Sequence, residues 1–343
     1  MKSAAGGRLA LLGLVLPLAG LAVLLLAGLI YGVHMPGKSH SGPLPPLSAD
    51  EEQIREHLAT HVQVLAGDIG ERNLWRYPGL LAAADYIERT FSALGYVPTD
   101  ETFHSRGRPV RNLIAEAPGH GAAREIVLVG AHYDTVMGSP GANDNGSGVA
   151  ALLELARLLA ERPLSRTLRF VAFVNEEAPF FGTTEMGSLV HARGADGRGE
   201  RITAMLSLET IGYYSDAPGS QHYPFPLSVL YPDTANFIGF VGNLPSRTLV
   251  RDALRSFRQT TAFPAEGASV PEWITGVGWS DHWSFWQAGY KAIMVTDTAF
   301  YRYAHYHTGQ DTADRIDYER LARVVAGLAR VIADLAGESW SQR

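Results

Sequence analysis

Five groups of histidine and acidic residues recur along this 343-residue chain with the spacing of a metal site. Imidazole and carboxylate groups are the ligands that zinc takes when no thiolate is available. The chain contains no cysteine, so a thiolate site and disulfide bonds are both excluded. The candidate ligands and their acidic neighbours are His132, Asp134, Asp144, Glu176, Glu177, Glu209 and His307. These residue types predict a metal centre built from nitrogen and oxygen donors.

Each group also has an interpretation that involves no metal. A lone histidine after a strand is more often structural, but Asp134 can accept the second ring N–H of His132 and fix its tautomer. Asp144 lies in a glycine-rich loop, where a turn residue or a helix cap explains it equally well. The adjacent Glu176 and Glu177 are costly at the end of a buried strand unless a cation compensates them. One of them could bind metal while the other acts as a general base.

Apolar runs precede these groups, so each group lies near the end of a predicted strand. Strands are predicted over residues 112–116, 125–130, 167–174, 204–208, 227–231 and 292–295. Helices are predicted from about 48 to 62 and over 80–94, 149–159, 185–192, 249–257 and 318–335. This alternation predicts an α/β fold with a mixed, mostly parallel central β-sheet flanked by helices on both faces. Open α/β sheets place their sites at the carboxyl ends of strands, which is where the candidate ligands fall.

The N-terminal segment predicts a membrane anchor. Lys2 and Arg8 precede an apolar run over residues 9–33, which is long enough to cross a hydrocarbon core of ~30 Å. A cleaved signal peptide, with a shorter apolar core of ~7–15 residues, is the alternative. Basic residues keep the start of such a helix in the cytoplasm. The rest of the protein is therefore expected outside the cytoplasm, in the periplasm or at the cell surface.

Composition divides the chain into three parts. Residues 1–34 are predicted to form the signal-anchor transmembrane helix, residues 35–50 a linker rich in proline, glycine and serine, and residues 51–343 the catalytic domain. A chain that begins near Ser48 is therefore expected to be soluble and active. The net charge of −6 provides no basic surface for nucleic acid. The membrane is an expected partner, and nucleic acid is not.

The motifs resemble those of the clan MH zinc metallopeptidases, the aminopeptidase S and aminopeptidase Y family, over roughly residues 112–311. The segments that carry the resemblance are His132-x-Asp134 followed by Asp144, then Asn175-Glu176-Glu177, and finally His307-Thr308-x-x-Asp311-Thr312. More distant relatives are glutamate carboxypeptidase, glutaminyl cyclase and the transferrin receptor ectodomain. The chain departs from the family at Glu209, where an aspartate is usual. The extra methylene still allows ligation but shifts the backbone or the metal.

The resemblance implies a centre of two zinc ions that share one carboxylate. The residues implied are His132, Asp144 and Glu209 for one ion, and Asp144, Glu177 and His307 for the other, with Asp144 as the bridge. Related aminopeptidases hold this bridging aspartate before a cis peptide bond, which here is the bond between Asp144 and Asn145.

The resemblance also implies roles for residues around the metals. Glu176 is expected to be the general base, Asp134 the partner of His132, and Tyr306 a group that polarises the scissile carbonyl. Three further residues are predicted to bind substrate. They are Phe181, in an aromatic segment, and Asp281 and His282, in a Ser-Asp-His segment like one near the family's site.

The leading function is an exopeptidase that removes N-terminal residues from peptides, using metal-activated water with Glu176 as general base. A carboxypeptidase of the same fold remains an alternative. A second alternative is a glutaminyl-cyclase-like acyltransferase, which uses one zinc and does not need His132 as the ligand of another. A receptor-like ectodomain with a dead site predicts lost ligands, and none is missing from the sequence.

Overall fold

The computed structural model describes Gly20, Leu21, Val23, Leu24 and residues 27–337 of the chain. Its centre is an eight-stranded sheet with the strand order β1-β2-β4-β3-β5-β8-β6-β7. The strands are β1 (Thr99–Ser105), β2 (Arg108–Ala117), β3 (Glu125–His132), β4 (Thr167–Phe173), β5 (Arg201–Glu209), β6 (Ile238–Gly242), β7 (Ala265–Ser269) and β8 (Ala292–Thr296). The central strands β4, β3, β5 and β8 are parallel, while β2 and β6 pair antiparallel at their two sides. The predicted mixed, mostly parallel sheet is confirmed.

Helices cover both faces of this sheet. They are α1 (Ala49–Val62), α2 (Tyr77–Ala93), α3 (Gly148–Leu159), α4 (Gly187–Gly197), α5 (Arg247–Thr260), α6 (His282–Gln287) and α7 (Tyr318–Leu335). Alternate residues of β3 enter different cores. Val127 and Val129 pack in the larger core with α1, α3 and α7, whereas Leu128 packs in the smaller core with α4 and α6. Burial on both faces explains why these strands are continuously apolar.

One predicted strand, over residues 227–231, is wrong. The structure has a short 3-10 helix there, Leu227–Val229. Leu227 is the buried residue of this segment, whereas Val229 and Leu230 are exposed, so no strand face faces the core. The sequence analysis did not predict the strands β1, β6 and β7.

Most of the predicted membrane segment lies outside the described residues. Residues 27–33 are helical. In the part of the chain that the structure describes, no helix combines the length and the apolar character needed to span a bilayer.

The region predicted as a linker lies against the rest of the described chain, and residues 34–47 are called the N-terminal strap below. The Nη1 group of Arg258 donates to the carbonyl of Pro36 at 3.0 Å. The hydroxyl of Ser39 accepts the backbone N–H of Ala265 at 3.0 Å, on the free edge of β7. Near the other end of the strap, Pro45 accepts a hydrogen bond from Arg323. The strap therefore covers an edge strand that would otherwise expose unpaired backbone groups.

Candidate metal centre

The carboxyl ends of three adjacent parallel strands carry most of the candidate ligands. His132 is the last residue of β3 and Glu209 the last residue of β5. Glu176 and Glu177 follow β4 by three and four residues. Since β4, β3 and β5 lie side by side, their ends meet at one edge of the sheet. Two loops, after β3 and after β8, add Asp144 and His307 to the same edge.

The candidate ligands form two triads that share Asp144. In the first, Nε2 of His132 lies 3.4 Å from Oδ1 of Asp144 and 3.3 Å from Oε2 of Glu209. In the second, Nε2 of His307 lies 3.0 Å from Oδ2 of Asp144 and 3.3 Å from Oε2 of Glu177. The donor atoms of each triad lie within 4.8 Å of one another, close enough for each triad to hold an ion.

The chemistry of this donor set fits zinc. Each triad offers one imidazole nitrogen and two carboxylate oxygens, and the three strand-end ligands are almost completely buried. Two of the facing atoms, Nε2 of His132 and Oδ2 of Asp144, are inaccessible to solvent and have no hydrogen-bond partner among the described residues. Buried polar atoms are normally satisfied. One of these atoms faces each triad, so each triad contains a buried polar atom that a cation could satisfy.

The electrostatics of the site also favour a bound cation. Burial, reinforced by the neighbouring charge of Asp144, raises the pKa of Glu177 to about 7. Burial likewise raises the pKa of Glu209, and it raises the pKa of Glu176 well above its usual value. Carboxylates crowded in a buried site destabilise one another in their charged form unless a cation compensates them.

Asp134 acts differently from the sequence prediction. Its Oδ1 lies 3.6 Å from Nδ1 of His132, which is too long for a hydrogen bond. The closer acceptor, at 3.2 Å, is the main-chain carbonyl of Asp134. The carboxylate instead accepts the backbone N–H groups of Glu176 and Glu177, each at 3.1 Å. Asp134 therefore fixes the turn that carries these two glutamates.

The loop that carries Asp144 is held at both of its sides. The carboxylate of Asp311 accepts the backbone N–H groups of Asn143 and Asp144 at 2.9 and 3.0 Å. On the other side, Asn145 donates to the carbonyl of Leu208 at 2.8 Å, next to Glu209. The peptide bond between Asp144 and Asn145 is cis, as the resemblance implied. These contacts fix Asp144 relative to the end of β5.

Glu176 and Tyr306 border the triads without belonging to them. Oε2 of Glu176 lies 3.8 Å from Nε2 of His132, outside both sets of donors. The ring of Tyr306 stacks on the imidazole of His307, with centroids 3.8 Å apart and an interplanar angle of 17°. Glu209, the residue that departs from the family pattern, accepts a hydrogen bond from the hydroxyl of Ser280 at 2.8 Å.

A cavity of about 110 Å³, called the apolar cavity below, lies next to the first triad. Glu209 and Tyr306 form its boundary with the metal site, and Glu266 also lines it. The remaining lining is mostly apolar and includes Leu227, Tyr231, Phe237, Val241, Val270 and Ile274. An apolar cavity beside a polar site is the usual form of a pocket for a small ligand or a side chain.

The residues predicted to bind substrate do not line this cavity. Asp281 and His282 are fully buried, and their contact with substrate remains a prediction. His282 is hydrogen-bonded to the carbonyl of Val277, and burial lowers its pKa to about 4. Phe181 is half-buried and contacts Trp283, with ring centroids 5.7 Å apart, so its contact with substrate remains a prediction.

Sequence reasoning did not identify several residues that support the site. Asp311 belongs to the terminal motif, and its spacing of four from His307 was the available signal. Asn145, beside Asp144, belongs to the loop motif, but no role was predicted for it. Arg72, a buried arginine behind the loops, gave no signal, because nothing in the surrounding residues distinguishes it from a surface arginine.

Comparisons with known proteins identify the family. The sequence profile of peptidase family M28 matches residues 112–332. The uncharacterized protein YfbL of Escherichia coli is 38% identical over 300 residues, which are 84% of this chain and 90% of that protein.

Solved structures share the fold at low identity. BSAP, a zinc aminopeptidase from Bacillus subtilis, has a TM-score of 0.65 and 16% identity, with 84% of this chain and 96% of that chain covered. A glutaminyl cyclase of Fimbriiglobus ruber has a TM-score of 0.60 and 22% identity, with coverage of 88% and 99%. On the profile match and the relation to YfbL, the chain belongs to peptidase family M28, which confirms the sequence-based prediction of a metallopeptidase-type hydrolase.

Proposed function

We propose that the protein is a dinuclear zinc aminopeptidase. The observation that carries the proposal is Asp144, whose two carboxylate oxygens face different histidines, so that one residue serves both triads. His132 and Glu209 complete one site, and Glu177 and His307 complete the other. Two zinc ions, if bound, would share Asp144 as a ligand and would supply Lewis-acid chemistry at this edge of the sheet.

The residues around the triads have separate tasks. Zinc, when bound, supplies Lewis-acid polarisation of the scissile carbonyl and lowers the pKa of a water. Glu176 is free of both donor sets, so its carboxylate takes a proton from the attacking water and passes it to the leaving amine. Tyr306 stands beside His307 at the edge of the cavity, where its hydroxyl can donate to the carbonyl oxygen of the substrate.

The charge pattern favours an aminopeptidase over a carboxypeptidase. A free α-amine is a cation and needs no cationic partner in the pocket. A C-terminal carboxylate would need a cationic partner instead. Among the described residues that line the apolar cavity, none is a lysine or an arginine. The cavity would then receive the side chain of the N-terminal residue.

The cyclase alternative has one observation in its favour, the shared fold with the Fimbriiglobus ruber enzyme. Both triads are complete in this chain, however, and His132 lies within reach of Glu209 and Asp144. A cyclase that uses one zinc has no need of the second set. The intact pair of triads also argues against a receptor-like protein without activity.

A peptide pair tests the proposed reaction. The full-length protein is incubated with a short unblocked peptide and with its N-acetylated and C-amidated forms, and zinc content is measured in parallel. We expect release of the N-terminal residue from the unblocked and C-amidated peptides, and none from the acetylated peptide. Cleavage that requires a free C-terminus would indicate a carboxypeptidase, and cyclisation of an N-terminal glutamine without hydrolysis would indicate a cyclase.

Glu176→Gln tests the general base. The amide keeps the shape of the side chain but cannot accept the proton, so turnover should fall by ~10²–10⁴. Zinc content should stay at the wild-type value, because Glu176 belongs to neither triad. A parallel loss of zinc would assign Glu176 as a ligand, and unchanged turnover would remove it from the mechanism.

Residues 1–34 are proposed to form a signal anchor that holds domain 51–343 outside the cytoplasm. Support comes from the sequence, which has an apolar run over 9–33 after Lys2 and Arg8. The protein should remain with the membrane after a carbonate wash, and externally added protease should reach the domain. A mature soluble form that begins between residues 30 and 40 would indicate a cleaved signal.

A further inference from the structure

Arg72 is fully buried, and its guanidinium donates hydrogen bonds to main-chain carbonyls. Nε donates to Tyr133 at 2.9 Å and Nη2 to Gly141 at 3.0 Å. The two N–H bonds of Nη1 are shared among three more carbonyls, those of Leu65, Gly70 and Pro140, at 2.9, 3.0 and 2.7 Å. The nearby carboxylates of Asp311, Asp134 and Asp144 favour the charge of Arg72.

The carbonyls that Arg72 binds belong to the segments that carry two candidate ligands. Tyr133 lies between His132 and Asp134, and Gly141 lies three residues before Asp144. The carbonyl of Gly141 also accepts the backbone N–H of Gly146 at 3.0 Å, which closes the turn around Asp144. One planar group therefore joins the end of β3 to the loop that carries the shared carboxylate.

The burial of this charge needs a reason. A buried cation is costly unless it is fully hydrogen-bonded. Burial lowers the pKa of Arg72 to about 10, so the group still carries its charge at neutral pH. A rigid fork of five donors can hold several carbonyls at fixed separations, and a lysine of equal charge cannot. The planar geometry of the guanidinium, rather than its charge alone, explains why this position holds an arginine and not a lysine.

We propose that Arg72 is a positioning residue that sets the separation between His132 and Asp144 and thereby raises the affinity of the centre for zinc. The inference rests on the proposed zinc site. Zinc accepts ligands only within narrow distance limits, about ±0.2 Å. Residues that orient the ligands of a metal typically change its affinity by ~10–100-fold when they are replaced.

Arg72→Lys tests the proposal, because it keeps the charge and removes the fork. Zinc is stripped from the full-length protein, and the unfolding midpoint is then measured without zinc and with excess zinc. Zinc affinity is measured separately by competition with a chelator. We expect the zinc-induced rise of the midpoint to shrink and the affinity to fall by ~10–100-fold. If both midpoints fall equally and the affinity is unchanged, Arg72 is merely structural and the proposal is wrong.

A matched control and a milder variant complete the test. Arg323→Lys alters another buried arginine, on α7, that binds a carbonyl far from the triads, and it should leave zinc affinity unchanged. If Arg72→Lys does not fold, Thr135→Val removes the hydroxyl that accepts the backbone N–H of Arg72 at 3.0 Å. We expect weaker zinc binding, by less than for Arg72→Lys, and unchanged affinity overturns the proposal. A wild-type protein that gains no stability from zinc would instead refute the zinc site itself.

Discussion

The candidate metal centre and the apolar cavity share a boundary at Glu209 and Tyr306, yet they are built by different means. In the metal centre, strand ends and short loops present polar groups, and the carboxylates of Asp134 and Asp311 hold the backbone by accepting its N–H groups. The cavity is formed by apolar side chains from β6, β7, β8 and the loops around them. Hydrogen bonds such as those from Tyr231 to Gly267 and from Tyr301 to Thr275 support its wall, while most of its lining is apolar.

Because of this difference, catalysis and substrate preference should depend on different parts of the proposed enzyme. Hydrogen-bonded geometry tolerates little change, since an unsatisfied buried group destabilises the fold by about 1–3 kcal/mol. Apolar packing tolerates substitutions that conserve volume, usually with a loss below about 1.5 kcal/mol. We therefore expect the chemistry to depend on the metal centre and the substrate preference to depend on the cavity, so that each can be altered separately.

The largest effect should come from a pair of variants with the same change in charge. Asp144→Asn removes the carboxylate that serves both triads, so zinc-dependent stabilisation should vanish and activity should fall by more than ~10²-fold. Glu266→Gln makes the same replacement at the cavity wall and should keep both zinc binding and the fold. Thermal unfolding with and without zinc, together with peptide turnover, measures the contrast. Loss of zinc binding in Glu266→Gln would show that the cavity wall also determines zinc binding, so the two regions would not act separately.

A narrower cavity should change the preference for the N-terminal side chain of the substrate without changing zinc binding. Ala268 lines the cavity on β7, and Ala268→Leu fills part of its volume. Each added or removed methylene in an apolar pocket changes discrimination by about 1–3 kcal/mol. The ratio of kcat/KM for an N-terminal phenylalanine peptide to that for an alanine peptide should therefore fall by ~10–200-fold. An equal loss for both peptides would mean that the substitution distorts the site rather than the pocket.

The smallest effect should come from the contact between the strap and the cavity wall. Arg258 donates to the carbonyls of Pro36 and Ala265 and to the carboxylate of Glu266. Arg258→Met leaves these acceptors unsatisfied, at about 1–3 kcal/mol, so the unfolding midpoint should fall by several degrees. KM should also rise, because the cavity wall loses its support.

Arg255→Met, on the same helix, provides the control for this variant. Arg255 is exposed, and among the described residues its ion-pair partner is Asp252. Its replacement should change stability by no more than about 0.5 kcal/mol. If Arg258→Met behaves like this control, the strap contributes nothing to the cavity.

The central sheet could be predicted because buried parallel strands have a continuous apolar signal. β3 and β4 are examples, and the predicted strands over 125–130 and 167–174 overlap them closely. β7 could not be predicted, since Ala265–Ser269 consists of small and polar residues. Its strand conformation depends on pairing with β6 and on cover from the strap, and neither is visible in local sequence.

The candidate site could be predicted to a similar extent. Residue type and spacing marked the candidate ligands, and the family resemblance grouped them into two sets that the structure brings close together. The groups that hold the donors were less visible. Arg72 acts through main-chain carbonyls, and a carbonyl belongs to every residue, so no sequence pattern marks its partners. Burial of Asp281 and His282 likewise depends on the packed fold.

The N-terminal strap has a consequence for the order in which the protein is made. Pro36 and Ser39 leave the ribosome early, whereas their partners Arg258 and Ala265 follow 222 and 226 residues later. At a synthesis rate of about 5–20 residues per second, that interval lasts roughly 10–45 s. During this time the strap has no docking surface, and the edge of β7 does not yet exist. Docking of the strap is therefore a late step of folding, completed only after most of the sheet has been synthesised.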